Sequence, residues 1–189
     1  MTNEDILALI EQDQWMMEIL KKVRQLQLSD WFIGAGFVRS KVWDYLHGYT
    51  IRTPLLDIDV IYFEKTNSSL EKIKHQEKRY EALLKKQIPD SNWSVTNQAR
   101  MHLFHNDSQY KTSEEALSQW VETATCIGVR LTDKNKLLLA APHGISDLVN
   151  LQLTPTTGAD KETFYKRIEE KKWLTKWPTL QINIPESSQ

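Results

Sequence analysis

From residue 4 to residue 27, apolar side chains return close to the helical period: Ile6, Leu7, Ile10, Met17, Leu20, Val23 and Leu26, with acidic and basic residues between them. Such a stripe predicts one amphipathic helix over 4–27. The short apolar run Trp31–Phe32–Ile33 then ends in two glycines, Gly34 and Gly36, and a helical pattern resumes at Phe37 through Leu46, with Val38, Val42, Trp43 and Leu46 along one face. The order is strand, tight turn, helix. Residues 54–63, PLLDIDVIYF, are branched and aromatic and read as a largely buried strand. A charged helix follows from Ser68 or Ser69 to about Lys86, and Trp93 to Leu103 reads as another strand, odd in its polar middle. Thr112 or Ser113, followed by Glu114 and Glu115, opens a helix to Val121. Ile127–Leu131 and Lys136–Ala140 flank the turn sequence TDKN and predict a hairpin. The stretch APHGISDLVNLQL breaks at Pro142 and Gly144 before a short helix, and a basic helix around Phe164 to Trp173 leads into a packed tail with a few loose terminal residues. Interleaved helices and strands with hairpin signals imply an α+β or α/β domain built on a mixed sheet flanked by helices. The expected organisation is a single domain over 1–189: a core at about 28–153, an N-terminal helix over 4–27 and a C-terminal extension over 154–189 packed upon it.

A chain of 189 residues, 40% hydrophobic and 26% charged, can bury one good core. Its net charge of -1 gives no overall field to gather a long polyanion, so a single nucleotide fits better than nucleic acid. No window reaches the ~20 apolar residues of a membrane helix, and the start MTNEDILALIEQ is acidic where a signal peptide is basic and then apolar. A cytoplasmic protein with no membrane partner is the expectation. The single cysteine, Cys126, excludes an internal disulfide and stands in an apolar stretch, as a buried small hydrophobe or a reactive thiol.

The sharpest chemical feature is the pair Asp57 and Asp59. Two residues apart in a strand, they share a face while Leu56, Ile58 and Val60 turn to the core. Like charges about 5 Å apart repel by roughly 3 kcal/mol at an effective dielectric near 20. In an otherwise apolar strand, a divalent cation is the economical counter-charge, and two carboxylates with substrate phosphates and waters are how Mg²⁺ is usually held. Gly34-Ala35-Gly36 at the strand–helix junction leaves backbone N–H groups bare at a helix N-terminus, which favours a phosphate. Arg39, one turn on, can reach a phosphate oxygen. Each alone has a plainer reading, as turn glycines and a surface charge. The pattern is neither G-X-G-X-X-G nor a P-loop.

Together these residues resemble the nucleotidyltransferase superfamily that includes DNA polymerase beta, CCA-adding enzymes and aminoglycoside nucleotidyltransferases. WFIGAGFVRSKVWDYLHGY, DIDVIYF, VTNQARMH, ETATCIGVRL and APHGISDLVNLQLTP resemble a bacterial group of nucleotidyltransferase family proteins over roughly residues 15–160. The resemblance implies a core like the head domain of CCA-adding enzymes, with Gly34 and Gly36 approaching a triphosphate and Asp57 and Asp59 binding metal. It implies transfer of a nucleoside monophosphate from an NTP to a hydroxyl-bearing acceptor with Mg²⁺ as cofactor and release of pyrophosphate. The acceptor would be a small molecule or a protein; an RNA acceptor is disfavoured because the chain lacks a large basic body. Active members add a third carboxylate from a neighbouring strand. Here that strand offers Asn97, an uncharged ligand, so Asn97 joins the catalytic set, with Glu122, Asp107 and Asp147 as substitutes and a catalytically weak nucleotide-binding protein as the alternative. Arg100, with Asn97 and Gln98 beside it, is either a second phosphate or base contact or part of a polar run exposed at a sheet edge. His102 and His105 lack a third zinc ligand nearby, and His47 and His143 read as local hydrogen bonders. The seven tryptophans serve packing or base stacking, and KKWLTKWP over 171–178 is a basic face for an acceptor or a solvated helix end.

Overall fold

The computed structural model describes residues 1–66, 68–102 and 108–185. The N-terminal amphipathic stretch is two helices rather than one. In α1, Asn3–Glu11, a capping box joins Thr2 and Asp5; α2, Gln14–Arg24, starts anew because Asp13 accepts a hydrogen bond from the Met16 amide. An acid at residue 13 thus caps a second helix where the apolar period alone suggests continuity.

The central sheet has the order β3-β2-β1-β4-β5. Its strands are β1 (Phe32–Gly34), β2 (Ile58–Tyr62), β3 (Trp93–Asn97), β4 (Gly128–Leu131) and β5 (Leu137–Ala140). Only β2 and β3 run parallel, joined by the long crossover helix α4, Leu70–Gln87, which Ser69 caps. The other neighbours are antiparallel, and β4–β5 is the hairpin that the turn sequence signals. The sheet is therefore mixed, as the hydrophobic pattern implies.

Parity sorts the side chains. Ile33, Ile58, Val60, Tyr62, Val95, Val129 and Leu131 face α1, α2, α4 and α3 (Gly36–Leu46) and join the main core. Many members of this core are fully occluded apolar side chains, each worth roughly 1.5–3 kcal/mol on burial before entropy is counted. On the opposite face Phe32, Ile61, Leu117 and Ala140 form a smaller cluster against Trp120, beneath the short helix α5, Ser113–Ser118. This second face is less covered, and Asp59, Ser94 and Thr96 belong to it by register: Asp59 pairs with Ser94 and Ile61 with Thr96.

Strand β3 stops at Asn97 and turns into a 3-10 segment, Gln98–Arg100, instead of continuing to Leu103, which lies outside the described residues. The Asn97 side chain accepts from the Ala99 and Glu64 amides and donates to the Glu64 carbonyl, which ends the ladder. Beyond β5 come α6 (Ser146–Val149), β6 (Gln152–Leu153), α7 (Lys161–Glu170), α8 (Trp173–Lys176) and β7 (Gln181–Ile182), the last pairing in parallel with β6. Lys172, at φ 51, is the left-handed residue that separates α7 from α8. The returning segment is anchored on α3: Trp173 and Trp177 stack edge-on against Trp43, and the Trp177 indole N–H donates to Asp44 at 2.8 Å. The terminal residues 186–189, expected to be loose, lie outside the described set.

Candidate active site

A cleft of about 370 Å³ opens where β2 begins, α3 begins and α7–α8 cross above them. Asp57 stands exposed one residue ahead of β2, and Asp59 is half-buried in it; both line this cleft. The β1–β2 register, Phe32 to Ile61 and Ile33 to Val60, carries Gly34 beside Asp59 when continued by one residue. The glycine bend and the acid pair therefore meet.

The three residues of the bend have separate reasons. A Cβ at Gly34 would lie 2.8 Å from Cη2 of Trp120, so this glycine admits the indole ring. Ala35 carries the turn at φ 50 and ψ -122, a conformation glycine adopts far more readily, and its amide is held by the Ile127 carbonyl at 3.0 Å. At Gly36 a Cβ would meet only ordinary contacts at 3.6 Å, with Arg39 Nη2 and Leu55 Cδ2. The protein itself does not require glycine there. No side chain caps α3, so its first amides and the positive end of its dipole open toward the cleft.

Arg39 is only 6% exposed, not a surface charge. Its guanidinium lies 4.4 Å from the Trp173 ring centroid and 5.1 Å from that of Trp43, and Nη1 donates to Thr125 Oγ1 at 2.8 Å. Its buried Nε has no partner, and among the described residues no carboxylate pairs with it. Burial pulls its pKa down to about 10, against the upward pull of Glu122, Asp59 and Asp57, so it remains a cation at neutral pH. Lys171, also on the cleft, is lowered by burial and then by its cationic neighbours Arg167 and Arg39. Asp59 moves the other way: burial first, then the Asp57 charge, raise it to about 6, partly offset by a hydrogen bond from Ser94. The cleft thus holds unneutralised acids on one wall and underpaired cations on the other, an arrangement suited to a polyanion carrying its own cation.

Of the residues singled out in the sequence, Asp57, Asp59, Gly36 and Arg39 line the cleft together, and Gly34 underlies it. Asn97 does not join them. It registers with Tyr62, one face away from Asp59, and its side chain is occupied in the turn after β3. Arg100 follows it toward Glu77 and Tyr62 and is absent from the cleft lining. Glu122, fully buried, takes Arg167 in a bidentate pair with Nε–Oε1 at 2.6 Å and Nη2–Oε2 at 3.2 Å. Asp147 accepts from Thr123 Oγ1 at 2.5 Å, and Asp107 and His105 lie outside the described residues. The polar residue facing Asp59 across β2–β3 is Ser94, a hydroxyl rather than a third acid. His47 and His143 bond backbone carbonyls, and among the described residues no three His, Cys, Asp or Glu side chains cluster as a metal site.

What the sequence reading lacks is Arg167, Thr125 and Gln119, all on the cleft. For Arg167 a signal exists: it stands four residues before Lys171, so the basic helix presents both on one side. The stretch 171–178 supplies Lys171, Trp173, Lys176 and Trp177 to the lining.

A family model described as nucleotidyltransferase matches residues 21–182. The chain belongs to the nucleotidyltransferase family. Its fold is similar to that of a protein whose NMR structure reveals a CCA-adding enzyme head domain, with a TM-score of 0.82, 30% identity and coverage of 97% of each chain. Two larger structures share the fold at a TM-score of 0.53. One is a tRNA-processing enzyme complex, 12% identical over 87% of this chain; the other is a CCA-adding enzyme in complex with CTP, 14% identical over 97%. This nucleotidyltransferase spans 43% of each of those two chains. No curated protein matches it. No helix among the described residues is long and apolar enough to cross a membrane.

The donor set of this nucleotidyltransferase fits a divalent cation. Asp57 and Asp59 offer hard oxygen ligands on one cleft, no Lys or Arg among the described residues forms an ion pair with either, and the charge cost at Asp59 is only partly offset.

Proposed function

We propose that the chain transfers a nucleoside monophosphate from an NTP to a hydroxyl-bearing acceptor in a Mg²⁺-dependent reaction. The observation that carries this reading is the placement of Asp57 and Asp59 in the same cleft as Arg39, Lys171 and the uncapped start of α3. The triphosphate would lie against Gly36 and the first α3 amides, where a missing Cβ leaves room for an anion. Arg39 is already desolvated and held between two indoles, so it loses little freedom on meeting phosphate. Lys171 adds a second charge, while Arg167 is held by Glu122 and shapes the wall. Asp57 and Asp59 would hold the divalent ion, which when bound supplies charge neutralisation at the phosphates. The acceptor oxygen forms a new bond to the α-phosphorus, the bond from that phosphorus to the bridging oxygen breaks, and pyrophosphate leaves with the electron pair as the hydroxyl proton is released. Catalysis is chiefly positioning and preorganised charge.

The test pairs binding with turnover. Calorimetry with a nonhydrolysable ATP or CTP analogue should show Mg²⁺-dependent binding that Asp57→Asn and Asp59→Asn abolish, and wild type should release pyrophosphate from an NTP. A second reading rests on Ser94, which puts a hydroxyl where the neighbouring strand of an active enzyme would bring an acid: a nucleotide-binding protein with little or no turnover. Analogue binding that survives Asp57→Asn, with no pyrophosphate from wild type, selects it. Absence of analogue binding altogether refutes both.

A further inference from the structure

Asp59 borders two chambers. Besides the cleft it shares with Arg39 and Lys171, it lines a second space of about 160 Å³ over β2 and β3, and Gln119 and Trp120 form the partition common to both. This second chamber takes its polar lining from Ser94 and Thr96, which stand in register on the open face of β3, and from Gln98 in the following 3-10 turn. The polar middle of the β3 sequence is therefore an alternating strand: Ser94 and Thr96 face the chamber while Trp93 and Val95 face the core side.

The two spaces differ in charge. Arg39, Arg167, Lys171 and Lys176 all line the first; among the described residues no cation lines the second, where Asp59 supplies the formal charge. A phosphate chain or a nucleic-acid backbone has no counter-charge there. What the second chamber offers is neutral hydrogen bonding in a partly dry setting. Gln98 is 4% exposed, and its Nε2 donates to the Thr96 carbonyl at 3.3 Å. Ser94 stands in register with Asp59 across β2–β3, and Gln119 Nε2 donates to Ser118 Oγ at 2.9 Å, which orients its amide at the partition. The first chamber pairs its cations with the apolar side chains of Pro54, Leu55 and Leu56, whereas the second sets Ile61, Met101 and Tyr110 opposite its hydroxyl and amide groups.

We infer that the second chamber is the acceptor subsite and that it takes a small, neutral, hydroxyl-rich molecule such as a polyol or a sugar ring. The inference rests on the nucleotide reading of the first chamber. A volume of 160 Å³ corresponds to on the order of five displaced waters at roughly 30 Å³ each, which suits a single ring rather than a polymer. An acceptor hydroxyl there lies beside Asp59, on the side of that acid away from the cations that would hold the leaving pyrophosphate. In-line attack requires that placement. Gln119 and Thr96 are then specificity determinants, and Ser94 is a positioning residue for Asp59.

Amide NMR tests this with glycerol, myo-inositol and glucose as probes, titrated into the protein alone and into the protein with Mg²⁺ and a nonhydrolysable ATP analogue. Expected are saturable shifts at Ser94, Thr96, the Gln98 side chain and Gln119 with at least one probe, weakened about tenfold by Thr96→Val and by the exposed substitution Gln119→Ala. Analogue affinity should stay within about twofold in Thr96→Val, a residue that lines the second chamber and not the first. The inference is overturned if no probe shifts these residues in either titration, or if the analogue alone saturates them and leaves the probes without effect, which would make the chamber a base pocket. Because the probes are also titrated without nucleotide, failure of the analogue to bind refutes the first-chamber reading separately.

Discussion

Replacing Asp59 by asparagine should make the protein more stable while disabling it. The carboxyl is raised from an ordinary 3.8 to about 6 by burial and by the Asp57 charge. At about 1.36 kcal/mol per pH unit, the folded state bears a cost of roughly 3 kcal/mol for keeping Asp59 ionised above that pH. Since the folded-state value is the higher one, the group's favourable contribution is present below 3.8 and is lost as pH rises through about 6. An asparagine side chain carries no charge to desolvate and keeps a polar group beside Ser94. Urea denaturation at pH 7.5 without divalent metal should therefore give the Asp59→Asn variant an advantage of about 1–3 kcal/mol, seen as a Tm higher by about 3–10 °C for a chain of this length. At pH 4.5 the advantage should shrink to about a third of its pH 7.5 value, because the folded wild type is already protonated. Millimolar Mg²⁺ should raise the wild-type Tm and leave the variant unmoved. A variant less stable than wild type at pH 7.5, or an advantage independent of pH, would refute the claim that Asp59 is held as a costly charge awaiting a cation.

The two glycines of the bend should separate by phenotype. Gly34→Ala drives a methyl into Trp120 and should cost about 1–3 kcal/mol in urea denaturation, whereas Gly36→Ala should change stability by less than about 1 kcal/mol yet weaken analogue binding at least tenfold by calorimetry. Ala35→Gly relieves a left-handed alanine and should raise stability by about 1 kcal/mol in the same assay. Arg39→Lys keeps the charge but loses the planar guanidinium over Trp173 and the single hydrogen bond from Nη1 to Thr125, and should reduce nucleotide affinity at least tenfold by calorimetry. Cys126, pushed up to about 12 by burial and then by the Glu122 charge, should resist iodoacetamide at pH 8 in the native protein and react promptly in urea, as mass spectrometry would show.

What the sequence makes legible follows from periodicity and from short-range chemistry. The period of two within DIDVIYF sets Asp57 and Asp59 on one side before any sheet is known, and the strand–bend–helix of residues 31–46 needs only local signals. Long-range register is another matter. The polar run on β3 reads as a source of one more ligand, but whether Ser94 or Asn97 faces Asp59 depends on the β2–β3 alignment, which no local pattern encodes. Arg39 is similar: a lone arginine in a helix is ordinarily solvated, and the return of α7–α8, which lays Trp173 over it, is not written in its local sequence. The break at Asp13 is visible as a cap residue but is outweighed by an apolar stripe that runs through it.

The central claim is that a triphosphate binds along Gly36 and Arg39 with its cation on Asp57 and Asp59. Its most direct measurement is amide NMR of the protein titrated with a nonhydrolysable NTP analogue and Mg²⁺. Saturable shifts are expected across Ala35 to Arg39, Asp57 to Asp59 and Lys171, present with Mg²⁺ and lost in Asp57→Asn. An analogue that leaves those amides unmoved, or that perturbs instead the separate basic hollow around Arg24 and Arg130, would contradict it.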